Sequence, residues 1–239
     1  MAKETTSAKV KETKKKDVPL KKEAVEKVAK ATILDKIKEA KANSKPRKFK
    51  QSWDFSISLK GLDLKKPENR FNIDFVLPSG RGKENKVAVI ADSFATEAKK
   101  LAAIVITKAE LESLAGNKKK IKELANNYDW FLGEVTLMSL VGKYLSPVLG
   151  PRGKIPKPVP PKIKIDAFIE SAKRSIRLSL KDSPVINATI GTEDMQDEDV
   201  ARNAEAVLNF VKEKLPKGIN NIKGVYIKLT MGRPVKIEI

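Results

Sequence analysis

The chain has 239 residues, room for one large or two modest domains, and it carries 49 Lys and Arg against 30 Asp and Glu, a formal net charge of +19. Such an excess repels itself unless a polyanion neutralises it, so nucleic acid is the first expected partner. With no cysteine and no histidine, thiol nucleophiles, disulfides, the usual structural zinc sites and histidine acid/base chemistry are excluded, and neither a metal nor a cofactor is expected.

No apolar run approaches the roughly 20 residues that span a bilayer, and no signal-peptide pattern opens the chain. The expectation is a soluble, intracellular protein without membrane contact. Residues 1–50 hold 17 Lys and Arg against 7 Asp and Glu. Within them, residues 1–31 read as a basic arm, disordered or partly helical, since the opening MAKETTSAKVKETKKKD has almost nothing to bury.

A helix is expected from Thr32, where Thr32 and Asp35 have capping-box spacing ahead of Ile37 and Ala40, and Asn43, Ser44 and Pro46 stop it. Lys45 to Lys50, KPRKFK, is a basic cluster around one aromatic, Phe49. That ring suits either a ribose or base face, or a core position at a strand start. Two alternating strands follow, Trp53, Phe55, Ile57, Leu59 and Phe71, Ile73, Phe75, Leu77, the pattern of an antiparallel sheet covered on one side.

After the break PSGRGKEN the texture changes. Val87 to Ala91, Ala103 to Thr107 and Trp130 to Leu132 are continuous apolar runs separated by helical stretches, with a capping box at Thr107 and Glu110 and helices over Lys118 to Asn126 and Thr136 to Leu145. Strands buried on both faces and alternating with helices predict a small parallel α/β layer. Leu140 to Pro161, rich in Gly, Pro and cations and free of acids from Val141 to Lys164, reads as the rim and exit of that layer.

Beyond Pro161 the first texture returns: a short helix marked by Ile165, Phe168, Ile169 and Ala172, then strands on Ile176, Leu178, Leu180 and Ile186, Ala188, Ile190. A long helix runs over Asp197 to Leu215, and two last strands carry Val225, Ile227, Leu229 and Val235, Ile237, Ile239. The expected organisation is a discontinuous α+β domain from 32–78 and 162–239 with a one-sided antiparallel sheet, and an α/β domain inserted at 79–161, the two linkers forming a hinge.

Glu193, Asp194, Asp197, Glu198 and Asp199 sit at the start of the long helix, where acids are stabilising without any ligand. GRGK at Gly80 to Lys83 and GPRG at Gly150 to Gly153 lack the strand-to-helix spacing of a phosphate loop, and no catalytic set emerges. The turn Thr230-Met231-Gly232 offers a hydroxyl, a pliable apolar side chain and a residue that lets another backbone approach, suited to a ribose and its 2′-OH or simply to a hairpin.

VGKYLSPVLGPRGKIPKP and INNIKGVYIKLTMG resemble signatures of the family of the large-subunit ribosomal protein L-one, closest to its archaeal branch, and LKGLDLKKPENRFNIDFVLP and EAVLNFVKEKLPKG extend the resemblance from about Thr32 to the C-terminus. It implies an RNA-gripping α+β domain and a three-layer, Rossmann-like inserted domain. It also implies binding to the mobile rRNA stalk beside the tRNA exit site, assistance to the release of deacylated tRNA, repression of the protein's own mRNA, a monomer when free, cytoplasmic ribosomes as its location, and no enzyme activity. The RNA contacts it implies are Lys48, Phe49, Glu39, Thr230, Met231 and Gly232, with Gly224, Lys228 and Arg233 on the same strand and turn. Separately from the resemblance, the acid-free run from Val141 to Lys164 suggests Lys143, Arg152 and Lys154 at the rim of the inserted domain as a second contact for tRNA or further rRNA. A serine common in the family falls at Gly224, removing one hydroxyl, and the usual TMGP reads TMGR with the proline moved to Pro234. The competing readings are a general nucleic-acid packaging protein, which explains the charge but not Phe49 and Met231, and a Rossmann-type enzyme, which lacks its fingerprint.

Overall fold

The computed structural model describes residues 32–114, 116–160 and 165–238, so the basic arm expected over 1–31, the exit segment 161–164 with Lys162 and Lys164, and Ile239 lie outside the described residues. The first helix, α1 over 32–42, buries Ile33, Ile37 and Ala40, one stripe at helical spacing. In β1 (Ser52–Leu59) every second side chain is buried, Trp53, Phe55, Ile57 and Leu59. Alternation of that strictness fixes the register, because a slip by one residue would put all four in water.

β1 is central in an antiparallel sheet of order β10-β9-β1-β8, with β8 at Val185–Thr192, β9 at Ile222–Leu229 and β10 at Val235–Ile237. A second ladder pairs β2 (Phe71–Val76) with β7 (Ser175–Leu180). The α helix over Asp197–Lys214, α8, lays Val200, Ala204, Val207, Leu208 and Val211 into the same core. Phe71, Ile73 and Phe75 are only half-buried; β2 has a single partner strand, and Phe75 is finished instead by the ring of Phe210, 4.9 Å away between centroids.

The second layer is parallel, of order β4-β3-β5-β6, from β3 (Val87–Ile90), β4 (Ile104–Ile106), β5 (Trp130–Glu134) and β6 (Lys157–Val159). Its helices are α2 (Ala95–Leu101), α3 (Lys108–Ser113), α4 (Lys118–Asn127), α5 (Met138–Tyr144), α6 (Ser146–Leu149) and α7 (Ile165–Arg174). Ala88, Ile90 and Phe131 face one core with α3 to α6, while Val87, Val89, Trp130 and Leu132 face another with Ala98 of α2 and Ile165, Ile169 and Ala172 of α7. Both faces are dry, which is why the strands read as unbroken apolar runs. Thr107 and Glu110 form the expected capping box on α3.

Two expectations need correction. The Gly/Pro segment is more than a turn: it holds α6 and the strand β6. Pro158 has no N–H for a ladder, and β6 tolerates it by pairing only with β5 at the sheet edge. The helix expected over Thr136 to Leu145 begins as a 3-10 turn, Val135–Leu137, before α5, because the Thr136 hydroxyl is drawn back to Glu134 at 2.8 Å.

Two buried asparagines stitch the segments that join the layers. Asn203 of α8 accepts from Ser79 N–H and donates to the carbonyls of Gly80 and Ile190. Asn85 donates to the carbonyls of Ala172 and Ser175 and accepts from Arg81. Trp130 has two cations near its ring, Lys157 Nζ at 4.9 Å and Arg177 Cζ at 4.6 Å from its centroid. Asp74 pairs with both, at 2.6 and 3.0 Å. GRGK is thus part of a connecting strap bonded to α8, with Gly82 at φ +79° packed against Thr192 and Met195.

Candidate nucleic-acid interface

Two chain segments 180 residues apart meet at one end of the antiparallel sheet: the loop from α1 into β1, and the turn from β9 into β10. Gln51 joins them. Its side chain is 1% exposed, its Oε1 accepts from Met231 N–H at 3.2 Å, and its Nε2 donates to Ser44 Oγ at 3.3 Å. Its backbone exchanges bonds with Glu193. Sequence reasoning missed Gln51, since a glutamine in a basic stretch carries no sign of its sheet partner.

Around that staple stand the two most exposed large apolar side chains of this end, Phe49 at 52% and Met231 at 59%. Exposing both in water is unfavourable by the ordinary measure of apolar transfer, about 25 cal/mol per Å², so the patch is built for a partner's surface. Lys48 and Arg233 are exposed beside them. Lys228 donates to the Thr230 carbonyl at 3.2 Å and faces Asp54 at 3.9 Å.

Thr230 is partly engaged. Its N–H donates to Ser52 O, and its hydroxyl accepts from Ser52 N–H at 3.0 Å and donates to Ser52 O at 3.2 Å. A hydroxyl has one donor and two lone pairs, so one lone pair is left to accept, on a side chain held in place by the sheet. Gly232 closes the turn through its N–H to Leu229 O at 2.8 Å. A Cβ there would meet Leu229 at an ordinary 3.4 Å, so the turn does not demand glycine.

The acids at the start of α8 hold the basic loop. Asp194 pairs with Lys50 at 2.7 Å and raises its pKa, mainly by that hydrogen bond; Asp197 pairs with Lys41 at 3.2 Å; Asp199 sits 3.6 Å from Arg202. Among the described residues no group of acids is arranged to hold a metal ion. Glu39 is exposed on α1 and pairs with Lys36 at 2.8 Å, the hydrogen bond raising the lysine's pKa. Gly224 shares the open face of β9 with Thr230 but stands six residues back, roughly 20 Å at the usual strand rise, so the structure places it outside the patch.

Lys143, Arg152 and Lys154 do not converge on one point. Lys143 is exposed, 5.6 Å from the ring of Tyr144. Lys154 is spent on α4, donating to the carbonyls of Ala125 and Tyr128 at 2.9 and 2.7 Å, where the last turn of a helix lacks partners. Arg152 bonds Asn126 on the same helix. Arg152 and Lys154 do line a cleft of about 270 Å³ with Arg81, Asp129 and Arg177; Arg81 belongs to the GRGK stretch, whereas Arg177 does not stand out in the sequence.

The parallel sheet has its own crevice, where the strand order reverses between the C-terminal ends of β3 and β5. In nucleotide-binding sheets that crevice takes the ligand. In this sheet it is filled by Glu134, 2% exposed, whose carboxylate receives the N–H groups of Asp92 and Ser93 and the hydroxyls of Ser93 and Thr136. Burial alone would push the carboxyl up, but these donors outweigh it and hold its pKa at about 2. A fixed internal anion occupies the position a phosphate would need, which argues against the nucleotide-dependent enzyme.

Residues 37–233 match the ribosomal protein L1p/L10e family. The chain is 50% identical over 208 residues to the large ribosomal subunit protein uL1 of Thermococcus kodakarensis, covering 86% of this chain and 96% of that one. It is 49% identical to the protein of the same name from Pyrococcus horikoshii, over 86% and 95%, and 47% identical to that from Methanothermobacter thermautotrophicus, over 86% and 98%. With the match spanning both sheets, the Gln51 staple and the turn, the chain belongs to the ribosomal protein L1p/L10e family.

Proposed function

We propose that this protein is a non-enzymatic constituent of the large ribosomal subunit, acting on cytoplasmic ribosomes, and that it grips the rRNA of the mobile stalk through Phe49, Thr230, Met231 and Gly232, with Lys48, Lys228 and Arg233 supplying charge. The observation that carries this reading is the pair of exposed apolar side chains on a rigid patch, tied together by a buried glutamine and ringed by cations. A packaging protein needs only the cations. The family supports the ribosomal role; release of deacylated tRNA from the exit site and repression of the protein's own mRNA follow from the resemblance as finer parts of the same proposal.

The two-unit organisation belongs to this proposal too. The sheet that carries the patch, with α8, is the fixed grip, and the parallel layer, joined to it through the strap that Asn85 and Asn203 hold, is the second body. The apolar stripe of α7 joins the core of the parallel sheet, which supports a return crossing near Ser175 as an alternative to the division at 161 and 162.

The test is a competition titration of a stalk rRNA fragment against duplex DNA and unrelated RNA across a salt series, for wild type, Thr230→Ala and Met231→Ala. Preference for the stalk that persists as salt rises, with each variant costing about 1 to 3 kcal/mol and leaving the salt slope alone, upholds the reading. Equal binding of every polyanion by wild type and variants would establish charge-driven packaging instead.

A further inference from the structure

The turn is one end of a larger surface. Along β9, Gly224, Tyr226 and Lys228 alternate with Val225, Ile227 and Leu229 of the core, so they stand on the opposite sheet face, where Gly224 is itself buried. No helix of the described residues packs its apolar stripe there; the face is open, and Tyr226 is 37% exposed at its middle. Ser56 and Lys236 lie directly opposite Tyr226 on the neighbouring strands. A Cβ on Gly224 would stand 3.3 to 3.5 Å from Oη, Cε2 and Cζ of Tyr226. The Oη–Cε2 edge of the phenol thus passes over the glycine, while the residue as a whole keeps 37% of its surface exposed.

That ring helps line a concavity of about 670 Å³ with Asp54, Ser56, Asn187, Thr189, Lys228 and Gly232 of the turn, the Asp54 carboxylate lying 3.9 Å from Lys228. Ser56 Oγ donates to Asn187 Oδ1 at 2.8 Å, setting a polar pair beside the ring. Asn187 and Thr189 also line the adjoining cleft that holds Arg81, Arg152, Lys154 and Arg177. A single flat aromatic with polar side chains on its flanks and cations at both ends suits a planar, polar, anionic ligand. An apolar protein segment would find only one ring to bury against.

We propose that Tyr226 is a stacking platform for one unstacked nucleotide of the RNA held at the turn, its base on the ring and its phosphates toward Lys228 and the arginine-lined cleft. The inference rests on the RNA-binding reading above. It deepens it by carrying the bound strand off the patch and across the sheet, continuous with the turn and complementary in charge. Stacking on an aromatic is tolerant of base identity, so this subsite adds affinity while the turn sets position.

The experiment combines affinity with footprinting on the full chain. In titrations of the stalk rRNA fragment, Tyr226→Phe keeps wild-type affinity within about twofold, whereas Tyr226→Leu and Tyr226→Ala lose roughly 5- to 100-fold, the range found for removing one stacked base. Gly224→Ala, which lifts the ring, loses part of that and adds nothing in the double variant with Tyr226→Ala. Hydroxyl-radical footprinting read by mass spectrometry shows Tyr226 oxidised in the free protein and protected by RNA in the folded wild type, so the result does not depend on how well the variants fold. If Tyr226 stays oxidisable in the complex, or its variants bind like wild type while Thr230→Ala does not, the stacking subsite is wrong and the patch stands. If Thr230→Ala and Met231→Ala are also silent, the RNA reading itself falls. Protection without RNA, removed by deleting residues 1–31 or by dilution, would assign the face to the arm or to a second copy and overturn the proposal.

Discussion

The two four-stranded sheets of this protein solve the same problem in opposite ways. The parallel sheet buries both faces, and even its crevice is filled by the carboxylate of Glu134 with four donors around it. The antiparallel sheet buries one face under α8 and leaves the other carrying Asp54, Ser56, Asn187, Tyr226 and Lys228. The difference shows where function has room. A layer covered on both sides has only its rim to offer, while a layer covered once offers a whole face and the turn at its end.

The largest effect that would sharpen this contrast lies in the shared requirement for a core. Phe55 is 1% exposed and sits under the open face. Phe55→Ala should cost about 3 to 5 kcal/mol in urea unfolding, and RNA binding should fall with it because the patch loses its floor. Phe131→Ala, buried to 2% in the parallel layer, should cost a similar amount of stability. Under conditions where the variant remains folded, its patch should keep wild-type RNA affinity. Equal loss of RNA binding by both folded variants would mean that the two layers act as one body.

Next comes the filled crevice. Glu134→Gln keeps the shape but turns one acceptor oxygen into a donor amide facing a nest of donors, and should cost about 1 to 3 kcal/mol at neutral pH. The folded pKa is depressed from 4.5 to about 2, so the carboxylate's contribution is fully present above about pH 4.5 and disappears as pH falls toward 2. Wild type should therefore lose stability across that window while Glu134→Gln changes less, the gap between them closing in acid. Parallel acid-denaturation curves would refute the role assigned to Glu134. A smaller loss, about 1 to 2 kcal/mol, is expected for Gly82→Ala, which needs a left-handed backbone against Thr192 and Met195.

Much of this contrast was legible in the residues. Alternation over Trp53 to Leu59 and Phe71 to Leu77 announced a one-sided sheet, and unbroken runs at Val87 and Trp130 announced a covered one, because period two and no period are direct records of how many faces are dry. Thr230-Met231-Gly232 and Phe49 also stood out, being apolar or small among cations. Gln51 did not, because its meaning lies in a bond to a residue 180 positions away. Lys154 misled in the other direction: inside an acid-free run it reads as a contact for phosphate, and only the fold brings the end of α4 to it. Pro158 likewise hid β6, since proline argues against a strand everywhere except at an edge.

The finest test separates the cations that the sequence placed together at the rim. Lys154→Met should lower stability by about 1 to 3 kcal/mol, since two carbonyls at the end of α4 lose their donor, and its effect on RNA should be indirect. Lys143 is exposed at the end of α5 and rests near the ring of Tyr144, so Lys143→Gln should leave the unfolding midpoint where it is. If Lys143 meets a phosphate of rRNA or tRNA, that variant lowers the slope of log K against log salt by about 0.7 to 0.9, the contribution of one neutralised phosphate, and lowers affinity only a few-fold at moderate salt. An unchanged slope would remove Lys143 from the second contact and leave the cleft where Arg152 of the parallel layer's rim meets Arg81 of the strap and Arg177 of β7.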